Sequence, residues 1–117
     1  MGNNNTFSAN FRRMTSPLII LSLLRDRPMY SYEIKKYLSK FHNGILDTTS
    51  LYQILYQAEK QGLVTSTESF SGERRPRVRV YYSITPEGNA TLDSILTEYQ
   101  TMSSALHEFL NRDILLK

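Results

Sequence analysis

The chain of 117 residues has no cysteine and no tryptophan, and only two histidines. Without cysteine there is no disulfide framework, thiolate zinc site, iron–sulfur cluster or cysteine nucleophile. His42 and His107 are the only imidazoles, so a His-based metal site is not expected. No Ser/His/Asp group, phosphate-binding loop or paired-carboxylate motif occurs, so neither catalysis nor a cofactor is expected. Long apolar runs are missing too: the longest, Pro17 to Leu24, has eight residues, against the roughly 20 that span a bilayer. The first residues, Met1-Gly2-Asn3-Asn4-Asn5-Thr6, carry no positive charge and lead into no hydrophobic region. A secretory signal is therefore not expected. The expectation is a small cytoplasmic protein without a membrane partner, with a core small enough to make oligomerisation ordinary.

Charge is present but unevenly placed. The net charge is +3, from 14 basic and 11 acidic residues. Residues 1–85 hold twelve basic and six acidic side chains, whereas residues 86–117 hold two and five. A basic first part and an acidic last part suggest that the first part faces a polyanion.

Residues 1–6 are expected to be disordered, with Phe7, Phe11 and Met14 adding an amphipathic turn or two. Ser16-Pro17 reads as a helix start, a capping hydroxyl with proline in the first turn. The run to Leu24 is apolar on nearly every side, as in a buried helix, and stops at Arg25-Asp26-Arg27-Pro28. A second helix begins at about Ser31, its expected cap, with Ile34, Tyr37, Leu38 and Phe41 on one face. Lys35, Lys36 and Lys40 lie off that stripe, and His42-Asn43-Gly44 ends it. Asp47-Thr48-Thr49-Ser50 offers caps for a third helix with core positions Leu51, Ile54, Leu55 and Ala58, closed by Gly62. Its outer face carries Thr49, Gln53, Tyr56 and Lys60, flanked by Tyr52 and Gln57.

The period then changes. Leu63 to Phe70 is rich in strand formers, and Ser71-Gly72-Glu73 supplies a turn. From Arg77 to Ile84 the alternation is clear, with Val78, Val80, Tyr82 and Ile84 on one face and Arg77, Arg79, Tyr81 and Ser83 on the other. The two runs pair as a hairpin whose long tip spans Ser71 to Pro76. Thr85-Pro86-Glu87 opens a last helix with a cap, proline and an early acid. Leu92, Ile95, Leu96, Tyr99, Met102, Leu106, Phe109 and Leu110 form a heptad-like stripe along it.

Three helices followed by a hairpin is the order of a winged helix-turn-helix domain, in which the third helix enters the major groove and the hairpin reaches the neighbouring backbone. The predicted fold is α+β, mostly helical. It divides into an N-terminal extension (1–15), a winged helix-turn-helix domain (16–85) and a C-terminal dimerisation helix (86–117). Double-stranded DNA is the expected partner. Thr48, Thr49, Ser50, Tyr52, Gln53, Tyr56, Gln57 and Lys60 on the third helix are the candidate contacts, with Lys36 beside them. Glutamine pairs bidentately with adenine, and Thr and Ser serve several bases. Arg74, Arg75, Arg77 and Arg79, four of the nine arginines within six residues, suit phosphates and a narrow minor groove.

The motifs resemble those of the PadR family of transcriptional regulators, from about Ser16 through the final helix. The family's Gly-Tyr-Glu-Leu matches Ser31-Tyr32-Glu33-Ile34. Its recognition-helix signature matches Ser50-Leu51-Tyr52, Leu55, Ala58-Glu59 and Gly62-Leu63. Its wing signature matches Val80-Tyr81-Tyr82-Ser83-Ile84-Thr85-Pro86-Glu87-Gly88. Three positions depart from the pattern: Ser31 replaces Gly, Gln53 replaces Pro, and Val80 replaces a basic residue. With one helix after the wing, the chain resembles the short class of the family. That implies a homodimer, with Leu92, Ile95, Leu96, Tyr99, Met102, Leu106, Phe109 and Leu110 in its interface. The apolar stripe, too long for so small a core, leads independently to the same expectation. The resemblance further implies a small aromatic effector at Tyr99, with Met102 and Ile95 a turn away on either side. The expected function is a sequence-specific DNA-binding regulator, a homodimeric repressor released by such an effector. The alternatives are a regulator with no effector, of phage or plasmid type, and a winged-helix protein-interaction adaptor.

Overall fold

The computed structural model describes residues 6–40, 50–70 and 77–112. Its first helix, α1, spans Phe7–Asp26, so the helix does not start at Ser16-Pro17 as expected. Thr6, placed among the disordered residues by sequence, caps it by accepting the Ala9 N–H at 3.2 Å. Residues 1–5 lie outside the described residues. Pro17 sits inside the helix, where it cannot donate to the carbonyl of Arg13. The Ser16 hydroxyl donates to that carbonyl instead, at 3.1 Å, and Thr15 donates to Phe11 at 2.8 Å. These hydroxyls compensate the backbone locally, and the chain remains helical through the proline.

After α1 ends, as expected, at Asp26, the chain extends through Pro28 into β1 (Met29–Tyr30), then α2 (Ser31–Leu38) and α3 (Leu51–Lys60). The cap of α2 is Tyr30 rather than Ser31. Its N–H is taken by the Glu33 carboxylate at 3.2 Å, which leaves Ser31 as the first helical residue with its hydroxyl free to reach α3. Ile34 and Leu38 are buried as expected, but Tyr37 is exposed. Phe41, the expected helix end at His42-Asn43-Gly44 and the capping candidates Asp47, Thr48 and Thr49 lie outside the described residues.

α3 ends at Gly62, whose φ of 78° is the left-handed value a C′ glycine supplies. Leu63 N–H donates to the Ala58 carbonyl at 2.9 Å and Gly62 N–H to that of Glu59 at 3.0 Å, the paired bonds of a Schellman ending. The chain leaves directly into β2 (Val64–Phe70), which pairs antiparallel with β3 (Val78–Ile84) from Val64↔Ile84 to Phe70↔Val78. The expected two-stranded hairpin proves to be a three-stranded sheet of order β1-β3-β2, with Met29 opposite Tyr82 and Tyr30 opposite Tyr81. Two residues are too few to show a period, so β1 left no mark in the sequence pattern. The expected turn residues Ser71 to Pro76 lie outside the described residues.

α4 (Pro86–Leu110) starts as expected, with Thr85 accepting the Gly88 N–H at 2.9 Å. Thr85 also donates its hydroxyl to the Gly62 carbonyl at 2.7 Å and its N–H to that of Leu63 at 3.0 Å. One residue thus ties the end of α3 to the start of α4. Gly88 is required by this approach, since a Cβ there would lie 2.1 Å from the Leu63 carbonyl oxygen. Arg25 clamps the same turn of α4, donating to Asn89 at 3.0 and 3.1 Å and meeting Asp93 at 2.8 Å.

Ile20, Leu21, Leu24, Met29, Ile34, Leu51, Leu55, Val64 and Leu92 are each at most 2% exposed and form one core. Each such side chain contributes about 1.5–3 kcal/mol on burial. The core holds the second half of α1, both helices of the helix-turn-helix, the base of the sheet and the start of α4. Leu92, expected in a dimer interface, is therefore consumed by the protomer's own core, and Leu96 packs against it. No described helix is long and apolar enough to cross a membrane.

Candidate nucleic-acid interface

The apolar stripe of α3 is buried through Leu51, Leu55 and Ala58, which turns Tyr52, Gln53, Tyr56, Gln57 and Lys60 outward into solvent. Ser50 stands at the cap of α3 but makes no side-chain capping bond. Lys36 is exposed on α2. Of the arginines, Arg77 is exposed just before β3, and Arg79 is partly buried within it. Four of the expected contacts, Thr48, Thr49, Arg74 and Arg75, lie outside the described residues.

The exposed face of α3 is divided between two neighbours. On one side Gln53 and Gln57 line a groove of about 660 Å³, whose opposite wall is the first half of α1 with Arg12 and Arg13. On the other side Tyr52 leans on α2. Its hydroxyl shares a 3.0 Å hydrogen bond with that of Ser31, and the Lys35 ammonium lies 4.8 Å from its ring centroid. Arg79 is treated in the same way: its guanidinium lies 4.8 Å from the ring centroid of Tyr30, which meets Tyr81 edge-on at 5.3 Å and stacks on Tyr32 at 6.3 Å.

The electrostatics follow from this arrangement. Among the described residues, Arg25 pairs with Asp93 and Arg27 with Glu33, and neither pair uses Lys60 of α3 or Arg79 of the wing. The one acid on α3, Glu59, is occupied by the Ser66 hydroxyl at 2.6 Å. Behind this face the Tyr82 hydroxyl is pushed above the ordinary tyrosine range, chiefly by burial and then by the charges of Glu59 and Tyr52.

The wing also divides. Tyr82 and Ile84 pack on the core, while Val78 and Val80 continue the same face beyond it and are exposed, as is Phe70 opposite Val78. Sequence reasoning missed Lys35, Ser31 and Tyr30, because their partners Tyr52 and Arg79 come from distant positions. The one available signal was Ser31 itself, a hydroxyl where the resembled pattern has glycine. The expected effector residues Tyr99 and Met102 are exposed on α4, Ile95 is half-buried, and the groove beside α3 includes none of them.

A helix-turn-helix followed by a wing, with a long helix appended, places the chain among winged helix-turn-helix proteins. Residues 20–94 match the model of the transcriptional regulator PadR-like family. The chain is similar to a PadR-family transcriptional regulator from Eggerthella lenta, with 30% identity over 89% of this chain and 88% of that one and a TM-score of 0.74. A transcriptional regulator from Clostridium thermocellum is 29% identical over 91% and 100%, with a TM-score of 0.74. A PadR-family regulator from Clostridium difficile is 26% identical over 83% and 99%, with a TM-score of 0.72. No curated protein is significantly similar. The chain belongs to the PadR-like family of transcriptional regulators.

Proposed function

We propose that the chain binds operator DNA as a homodimeric repressor in the cytoplasm and is released by a small aromatic or apolar effector. The observation that carries the DNA reading is the outward face of α3. It is rich in hydrogen-bonding groups, its one acid is engaged within the protein, and Lys35 and Arg79 beside it rest on rings rather than carboxylates. Such a face offers base contacts from Gln53, Tyr56 and Gln57 within a field that attracts phosphate. Residues 16–85 would then do the reading and residues 86–117 the pairing.

The dimer reading rests on the outer half of α4. Met102, Leu106, Phe109 and Leu110 are 68%, 54%, 60% and 64% exposed, an apolar face of the kind that a second copy covers. Tyr99 and Met102 lie on that face with Ile95 at its inner edge, and together they would line an effector site once a partner closes it.

The test is a mobility shift of the full chain on a pool of random-sequence duplexes at low salt, followed by selection of the tightest binders. Selective retention supports the reading, and no retention at low salt overturns it in favour of the adaptor. On a selected duplex, Gln53→Ala is expected to cost about 1–3 kcal/mol while random DNA is bound as before. Planar aromatic compounds should weaken operator binding, and Tyr99→Ala should abolish that response while the dimer persists. A shift that no phenolic acid or aromatic cation alters would favour the effector-free regulator.

A further inference from the structure

α2 is the first helix of the helix-turn-helix, the element that crosses the DNA backbone in this motif. Lys35 lies one turn into it. It makes no ion pair among the described residues, yet it is not loose. Its ammonium sits over the Tyr52 ring at 4.8 Å, and the ring is itself fixed by the 3.0 Å bond from its hydroxyl to Ser31. A carboxylate would neutralise the lysine, whereas an aromatic face holds it and leaves its charge available to an outside anion. Tyr52 is 57% exposed, so core packing does not account for the arrangement.

Building on the DNA-binding reading above, we propose that Tyr52 is a positioning residue rather than a base reader. It holds Lys35 of α2 in place for a DNA phosphate, and Ser31 locks its ring. A lysine is a flexible point charge, and fixing it in advance removes part of the ordering cost of the contact. The device depends on Ser31, because a glycine there has no hydroxyl to offer Tyr52.

The test is a double-mutant cycle between Tyr52→Leu and Lys35→Gln, read as affinity for a selected duplex and for a random duplex across a range of salt. Both positions are solvent-accessible, and thermal melts identify any variant that fails to fold. Lys35→Gln is expected to lower the slope of log K against log salt by about 0.9 for each protomer bound, about 1.8 for the proposed dimer. Tyr52→Leu should weaken both duplexes by the same factor, about 2- to 5-fold, the worth of an exposed cation–π contact. In the Lys35→Gln background Tyr52→Leu should cost nothing further, and Tyr52→Phe, which keeps the ring but loses the bond to Ser31, should fall between the parent chain and Tyr52→Leu. Loss on the selected duplex alone would make Tyr52 a base reader and overturn the proposal. So would a full loss in the Lys35→Gln background or an unchanged slope in Lys35→Gln. A wild-type chain that binds neither duplex would overturn the DNA reading itself, an outcome distinct from all of these.

Discussion

Three elements of this chain have one end in the core and the other end outside it, and the two kinds of end differ in how their apolar residues are used. In α4, Gly88 and Leu92 are buried and Leu96 packs on the core, whereas Met102, Leu106, Phe109 and Leu110 project. In α1, Ile20 to Leu24 are mostly buried while Phe7, Phe11 and Met14 are exposed, Phe7 at 80%. In the wing, Tyr82 and Ile84 are anchored and Val78, Val80 and Phe70 are not. The radius of gyration, 17.7 Å, exceeds the roughly 13 Å of a compact chain this long, as projecting ends require. In the two helices, the buried Ile20 to Leu24, Gly88 and Leu92 fall inside the residues matched by the family model, 20–94, whereas Phe7 to Met14 and Tyr99 to Leu110 fall outside them; the projecting Phe70, Val78 and Val80 of the wing fall inside. The difference teaches that apolar character alone does not reveal which residues make the core. Buried ends build the fold, and projecting ends are available to partners.

The comparison is sharpened most by placing the same charge at both ends of α4. Leu92→Asp buries an unpaired carboxylate and should cost more than the about 2–5 kcal/mol of a Leu→Ala truncation, enough to unfold the chain. Leu106→Asp should leave the melting of the protomer intact while abolishing the proposed dimer and, with it, operator affinity. Circular dichroism and sedimentation together separate the two results. A Leu106→Asp chain of unchanged size and affinity would break the assignment of the outer half.

The wing offers the second contrast. Replacing Arg74, Arg75 and Arg77 together by Ala should leave unfolding by urea unchanged but weaken every duplex. If all three meet phosphates, the salt slope should fall by about 2.7 for each protomer bound, at 0.9 for each arginine. Where the start of α4 packs against the base of the wing, Gly88→Ala forces a Cβ against the Leu63 carbonyl and should cost about 1–3 kcal/mol of stability, as overpacking does. DNA affinity above the melting transition is not needed to see it, since denaturant midpoints suffice.

The smallest effect concerns Tyr82, whose folded pKa is raised by burial, Glu59 and Tyr52. A raised pKa means that the folded state holds the proton more tightly than the unfolded state. The resulting stability is present below the ordinary tyrosine value of about 10 and is lost as pH rises through the folded value. Tyr82→Phe should therefore show a flatter loss of stability than the parent chain in that alkaline window, measured by denaturant midpoints.

Local signals in the chain were enough to place α2, α3 and α4, the hairpin strands, the end of α1 and the cap of α4, though not the start of α1. They include the apolar period that marks Ile34, Leu38, Leu51 and Leu55, the left-handed Gly62, and the Thr-Pro pair before α4. The same pattern also marked Gln53, Tyr56, Gln57 and Lys60 as outward, because a helical period defines both faces at once. Tertiary structure decided the rest. A local device, the Ser16 hydroxyl in place of the proline's missing donor, carries α1 through Pro17, while the tertiary structure recruited Met29-Tyr30 as a strand because β3 offered an edge. It sent Leu92 into the core and left Leu106 outside, though both occupy the same heptad position, because only the first half of α4 meets α1 and the sheet. It placed Lys35 on Tyr52 and Arg79 on Tyr30, contacts between residues 17 and 49 positions apart. Local pattern shows which face of an element is apolar, but only the packed chain determines what that face meets.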